Sequence, residues 1–144
     1  MLFRSNAEWY KRINRENQRI EGSDIVTGSG LLYHSAQTQI RSQILDHFDC
    51  KSVLDVGMGR GDNIIALAAF NPRLEKLIGI EPTENGYQRS LEWDKDIKNS
   101  DMELVGLGES LKDIDFKKIQ FIHGSGLDIP LPDKSVDEIG RAHV

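Results

Sequence analysis

Ser52-Val-Leu-Asp-Val-Gly-Met-Gly-Arg-Gly-Asp62 joins a short β-forming run, with one acid inside it, to glycines at positions 57, 59 and 61. A helix-forming stretch, Asn63 to Phe70, follows directly. Strand, tight glycine turn and helix N-terminus together make a nucleotide-binding corner. Gly57, Gly59 and Gly61 let the backbone approach a ligand closely and take up positive φ. The helix start adds unpaired N–H groups and a partial positive charge. Such a corner suits a carboxylate or a phosphate equally.

The spacing narrows the ligand. The dinucleotide fingerprint is G-x-G-x-x-G, whereas this chain has G-x-G-x-G with Asp62 at the third glycine position, where a pyrophosphate would meet a carboxylate. A second apolar run, Leu77-Ile-Gly-Ile80, ends on Glu81, twenty-six positions after Asp55. An acid at the tip of the neighbouring strand accepts hydrogen bonds from ribose hydroxyls, which indicates an adenosine compound without saying which one. A third run is Ile119-Gln-Phe-Ile-His-Gly-Ser-Gly-Leu-Asp-Ile-Pro-Leu-Pro-Asp-Lys-Ser-Val-Asp137.

With these three segments in this order, the chain from roughly Leu32 to Asp137 resembles the class I S-adenosylmethionine-dependent methyltransferases. The similarity is strongest to the small-molecule, methyltransferase type 11-like group, whose third strand runs into G-D-A-x-x-L-P-F-x-D-x-S-F-D. The resemblance implies an α/β, Rossmann-like three-layer sandwich with a mostly parallel sheet in the order 3-2-1-4-5-7-6. Only the first three strands and the start of the fourth would be present here. It implies S-adenosyl-L-methionine as cofactor and methyl transfer to a small-molecule acceptor, this chain holding the cofactor-binding half and being inactive alone.

Residue by residue, the resemblance places Asp55 at the glycine loop, orienting it and receiving the cofactor's ammonium group. Gly57, Gly59 and Gly61 make room for the cofactor, and Glu81 takes the ribose diol. Pro82 and Thr83 flank the adenine, Ser125 and Gly126 meet its edge, and Leu127 packs on the ring. Ser125 departs from the family's usual Asp, and a hydroxyl is a weaker acceptor for the adenine amino group than a charged oxygen. No catalytic residue is assigned, since acceptor-side groups in this family come from beyond the fourth strand, and no metal is expected. Two other readings stay open: an NAD-dependent oxidoreductase fragment and a non-enzymatic S-adenosylmethionine-binding module.

Composition sets the bounds. The net charge is −5, from 18 basic and 23 acidic residues, with no basic run that would suit nucleic acid. No apolar stretch is long enough to span a bilayer, so a cytoplasmic location is the default and the oligomeric state is open. The single cysteine, Cys50, excludes an internal disulfide and reads as a small core hydrophobe.

Both ends read as foreign. Ile139-Gly-Arg-Ala-His-Val144 is what ATC GGA AGA GCA CAC GTC encodes, a widely used sequencing adapter. Met1 to Ser5 matches its reverse complement read from a GTG start. Residues 1–5 and 139–144 are therefore expected to be processing scars, leaving residues 6–30 as an N-terminal helix and linker and 31–138 as the N-terminal half of the domain. Without Arg4 and Arg141, the 18 basic residues become 16 and the net charge −7.

Along the chain, helices are expected at Asn6 to Ile20 and at Leu32 to Phe48, the second with Ile40, Ile44, Leu45 and Phe48 on one face. Tyr33 and His34 near its start are candidates to close over the methionine end of the cofactor. Further helices are expected over Glu84 to Lys98 and, from the spacing of Leu104, Val105, Leu107, Leu111 and Ile114, within Asp101 to Lys118. Val136 begins a fourth strand that the scar would interrupt, leaving an aggregation-prone open edge. Arg60 and Asp62 face the pocket mouth in such a turn, and His123 reads as structural.

Overall fold

The structure, a computed structural model, describes residues 25–26, 40–98, 103–104 and 111–141. In chain order the elements are β1 (Ile25–Val26), α1 (40–47), β2 (Ser52–Val56), α2 (Asp62–Phe70), β3 (Lys76–Glu81), α3 (Glu84–Ser90), α4 (Trp93–Lys98), β4 (Glu103–Leu104), β5 (Ile119–His123) and β6 (Glu138–Arg141). The expected Asn6–Ile20 helix, Tyr33 and His34 lie outside the described residues.

β2 and β3 carry near-continuous apolar runs because both of their faces are covered. They form the centre of a four-stranded, all-parallel sheet in the order β5-β3-β2-β6. Counted by appearance in the chain this is 3-2-1-4, one half of the expected order, and the fold is α/β and Rossmann-like. One face buries Val53 and Leu77 against Leu45 of α1 and Ile64 and Leu67 of α2. The other buries Leu54, Ile78 and Ile80 under Val56, Ile122, Ile129, Leu131 and Val136. A third cluster, Ile65, Ala66, Trp93, Ile97 and Leu111, ties α2 to α4.

Several expectations need correction. The fourth strand is formed, beginning at Glu138 and including Ile139, Gly140 and Arg141 in parallel register with Val53–Val56. The open edge therefore lies one strand further out than expected. Of the apolar face expected for α1 only Leu45 is buried, while Ile40, Ile44 and Phe48 are exposed. The Glu84–Lys98 helix is two helices, interrupted where the Ser90 hydroxyl donates to the Tyr87 carbonyl at 2.6 Å and competes with the helical ladder. Asp101–Lys118 holds no long helix among its described residues. It has a two-residue strand, β4, paired in parallel with β1, and 3-10 turns at Leu111–Asp113 and Phe116–Lys118. Ile25–Val26, placed in a linker by sequence, is thus a strand.

Asp137 fastens β6 to the start of β2. One carboxylate oxygen accepts from the Lys51 N–H at 2.8 Å, the Ser52 N–H at 2.9 Å and the Ser52 hydroxyl at 2.9 Å. The Lys51 N–H is the largest of the causes that hold this carboxyl below its ordinary value of 3.8, followed by Ser52. A carboxylate with a lowered folded-state pKa contributes stability above its unfolded value, and that contribution is lost as pH falls through the folded value. Asp137→Asn should therefore lower the melting temperature at pH 7, and the gap from the parent should close as both are acidified through the lowered folded value.

Candidate functional site

The glycine turn closes onto β3. The N–H groups of Gly57 and Met58 both donate to the Ile80 carbonyl, at 2.8 and 3.0 Å, and the Gly61 N–H returns to the Met58 carbonyl at 3.1 Å. Gly57, Gly59 and Gly61 have φ of 75°, 61° and 87°, left-handed values that an L side chain rarely adopts. Gly61 is also the N-cap of α2, which begins one residue earlier than the sequence indicates. Met58 points inward and is buried. Its thioether lies against Gly79, where an added Cβ would come within 2.1 Å of the sulfur.

Glu81 is 4% exposed at the end of β3. One carboxylate oxygen accepts from the Gly59 N–H at 2.8 Å; the other accepts from the Thr83 N–H at 3.0 Å and from the Thr83 hydroxyl. Glu81 thus ties the strand end to the middle of the glycine turn and to the N-cap of α3. An ionised carboxylate has about four lone-pair sites, so three bonds leave capacity for a ligand hydroxyl. Gly86 is required beside it, because a Cβ there would meet Glu81 Cγ and Thr83 Oγ1 at 2.8 Å.

Asp55 is 5% exposed, and among the described residues neither carboxylate oxygen has a hydrogen-bond partner within good geometry. Its register neighbours are Gly79 on β3 and Gly140 on β6, so two positions without side chains flank it. Burial pushes its pKa up to about 6, opposed by Arg41 and Asn63 and assisted by the charge of Glu81. The glycine turn is held by Ile80 and Glu81, not by Asp55 as expected.

The third strand end completes the site. The Gly124 N–H donates to the Glu81 carbonyl at 3.0 Å. Gly126 sits so close to β2 that a Cβ would lie 2.6 Å from Val56 Cγ1. The Ser125 oxygen accepts from the Leu127 N–H at 3.1 Å, which leaves its proton to donate outward. Leu127 is 99% exposed. His123 approaches the Pro82 carbonyl with Nε2 at 3.2 Å and Glu84 with Nδ1 at 3.1 Å, and its ring stacks on Tyr87. With both nitrogens engaged, it braces β5 against α3.

The structure therefore brings Asp55, Gly57, Gly59, Gly61, Glu81, Pro82, Ser125, Gly126 and Leu127 to the C-terminal ends of three adjacent strands, where ligands of open α/β sheets bind. Arg60 is turned inward instead, buried, with Nε on Asp62 at 2.7 Å and its carbonyl accepting from the Trp93 indole at 2.8 Å. Burial is also the largest cause raising the Cys50 thiol, in keeping with a packing role. The parts that sequence reasoning missed are Met58 on Gly79, Thr83 on Glu81 and the His123–Tyr87–Glu84 brace. A threonine two positions after the strand-end acid, with a glycine three further on, was the available signal for the second.

Among solved structures the chain is similar to the YcgJ protein from Bacillus subtilis, with 20% identity and a TM-score of 0.52 over 76% of this chain and 37% of that one. A protein assigned as a caffeoyl-CoA O-methyltransferase from Staphylococcus aureus matches 96% of this chain and 50% of its own, with 15% identity and a TM-score of 0.51. A SAM-dependent methyltransferase from Aquifex aeolicus is 21% identical over 74% of this chain and 55% of its own, with a TM-score of 0.48. The first two establish the fold as the Rossmann-like α/β architecture that methyltransferases use. The chain spans 37% and 50% of the lengths of those two proteins. No protein-family model and no curated protein sequence matches it.

Proposed function

We propose that this chain is the S-adenosylmethionine-binding part of a methyltransferase that acts on a small molecule. The observation that carries this reading is the pair of buried carboxylates, Asp55 and Glu81, on the two sides of one glycine turn. A dinucleotide would bring a pyrophosphate into a turn already holding Asp55, Glu81 and Asp62. S-adenosylmethionine instead carries an ammonium group and a cationic sulfur, both attracted to such a site. An unpaired buried carboxylate is costly, and Asp55 would gain a charge-assisted partner in the ammonium group.

When bound, the cofactor supplies a methyl group activated by its positive sulfur. The residues described here hold and orient it. Glu81 retains lone-pair capacity for one hydroxyl of the ribose diol. Ser125 would donate its proton to an adenine ring nitrogen, the Gly126 N–H would serve the same edge, and Leu127 would exchange water for the ring face. Pro82 and Thr83 would flank the ring. Among the described residues none is assigned to the acceptor.

The direct test is titration calorimetry with S-adenosylhomocysteine and, separately, NAD. Binding of the first without the second is expected; the reverse would overturn the reading. Asp55 adds a pH signature. With a pKa near 6 in the ligand-free protein, it is ionised above that value and neutral below it. Affinity for S-adenosylmethionine should hold from pH 8 to 7 and fall as pH drops through about 6. Asp55→Asn should bind about tenfold more weakly at pH 8 and lose this dependence; an unchanged profile would remove Asp55 from the ammonium site. In the ligand-free protein the sign is opposite. The folded value lies above the unfolded one of 3.8, so the buried charge reduces stability by about 3 kcal/mol as pH rises from about 4 to about 6. Asp55→Asn should abolish that decline.

A further inference from the structure

β5 ends in a turn, Gly124 to Asp128, whose N–H groups are largely used within the protein. The Gly124 N–H donates to the Glu81 carbonyl at 3.0 Å, which fixes the turn to the end of β3. The Asp128 N–H donates to the Ser125 carbonyl at 3.2 Å, and the Leu127 N–H to the Ser125 hydroxyl oxygen at 3.1 Å. Gly126 is held against β2, where a Cβ would come within 2.6 Å of Val56 Cγ1. Ser125, Gly126 and Leu127 are all exposed. A serine that closes its own turn in this way has a fixed oxygen, while its proton rotates. A hydroxyl oxygen has two lone pairs, and the Leu127 N–H takes one of them. One lone pair and the proton therefore remain for whatever lies against the turn.

We infer that Ser125 makes this site tolerant of the purine it holds, so that a 6-oxopurine nucleoside is accepted beside the 6-aminopurine one. This rests on the cofactor reading given above, in which the Ser125 hydroxyl meets a nitrogen on the edge of the ring. In a 6-aminopurine the ring nitrogen next to position 6 is an acceptor, and the Ser125 proton donates to it. In a 6-oxopurine the same nitrogen carries a hydrogen. Rotation about the Cβ–Oγ bond then turns the Ser125 proton aside, and the remaining lone pair accepts. Neither base leaves that contact unpaired. Groups of fixed polarity reject a ligand that cannot pair with them by about 10⁴ or more, and a hydroxyl rotor gives up that discrimination. The Gly126 N–H beside it is a donor only, and one such bond changes the relative affinity of the two bases by no more than about tenfold.

Titration calorimetry of the 144-residue chain with S-adenosylhomocysteine and with its 6-oxopurine analogue, S-inosylhomocysteine, tests this. Both should bind, with dissociation constants within about tenfold of each other. Ser125→Ala should weaken both by a similar factor, about fivefold, and Ser125→Thr, which keeps the hydroxyl, should restore both. Asp128→Asn removes the one carboxylate of the turn and should leave the ratio of the two affinities as it was. A gap wider than about tenfold in the parent overturns the inference. So does Ser125→Ala if it weakens one ligand alone or neither, or Asp128→Asn if it alters the ratio. These failures are distinct from failure of the cofactor reading itself. Tight binding of S-adenosylhomocysteine with rejection of the inosyl analogue removes only the tolerance assigned to Ser125, whereas binding of neither ligand overturns both.

Discussion

Glu81→Ala should weaken S-adenosylmethionine binding by about one to two orders of magnitude and lower the melting temperature at the same time. The binding loss follows from removing the charged acceptor of a ribose hydroxyl, about 1.5 to 3 kcal/mol. The stability loss has a separate origin. Glu81 accepts the Gly59 N–H at 2.8 Å in a buried position, and alanine would leave that donor without its acceptor. An orphaned buried donor costs about 1 to 3 kcal/mol. Glu81→Gln separates the two effects, because its carbonyl oxygen can keep the Gly59 bond while the charge and one acceptor are lost. Calorimetric affinity and thermal unfolding on both variants check the expectation. Unchanged affinity in Glu81→Ala would show that the ribose lies elsewhere, whatever the effect on stability.

The second large effect is expected at a position that touches no ligand. Gly79→Val should destabilise the protein by about 3 kcal/mol and abolish cofactor binding. Gly79 lies in the centre of β3, opposite Asp55 in the register, and its missing side chain is the space into which Met58 folds. A Cβ at 2.1 Å from the sulfur cannot coexist with that rotamer. Met58 is part of the glycine turn, so expelling it moves the backbone that carries Gly57 and Gly59 away from the ligand. The double variant Met58→Ala, Gly79→Val distinguishes this route from a general strand defect. If the clash is the cause, the double variant should be more stable than the sum of the single effects by at least about 1 kcal/mol. Simple additivity would show that Met58 and Gly79 are not coupled.

The strands were legible because each is a short apolar run bounded by turn residues. Ser52–Val56, Lys76–Glu81 and Ile119–His123 appear where the pattern places them, give or take the Lys at the start of β3. Their order also followed, since alternating strands and helices with short connections give right-handed parallel units. Helical periodicity was a poorer guide. The Leu104–Ile114 spacing suggests an amphipathic helix, whereas its described ends are a strand at Glu103–Leu104 and a 3-10 turn at Leu111–Asp113, and residues 105–110 lie outside the described residues. Among the described residues of that stretch, Leu111 is buried beside Trp93 and Ile97 and Ile114 packs against the same cluster. The α1 stripe failed differently. Its spacing is correct, yet the sheet reaches only far enough to cover Leu45, so Ile40, Ile44 and Phe48 remain at an edge.

By itself, then, the amino-acid sequence determined the α/β class, the glycine turn with its positive φ angles, and the acid at the tip of the second sheet strand. These are local matters: β propensity, the freedom of glycine and the position of a charge relative to a strand end are properties of neighbouring residues. Tertiary structure alone decided what each polar group faces. Among the described residues neither Asp55 carboxylate oxygen has a hydrogen-bond partner within good geometry, and Gly79 and Gly140 stand beside it in register on two other strands. Glu81 grips Gly59 across 22 residues of chain. Asp137 closes on Ser52 across 85, and Ile139 stands in register with Leu54. Burial and hydrogen bonding between segments remote in sequence depend on how the sheet brings them together, and no periodicity in one segment encodes what another will place beside it.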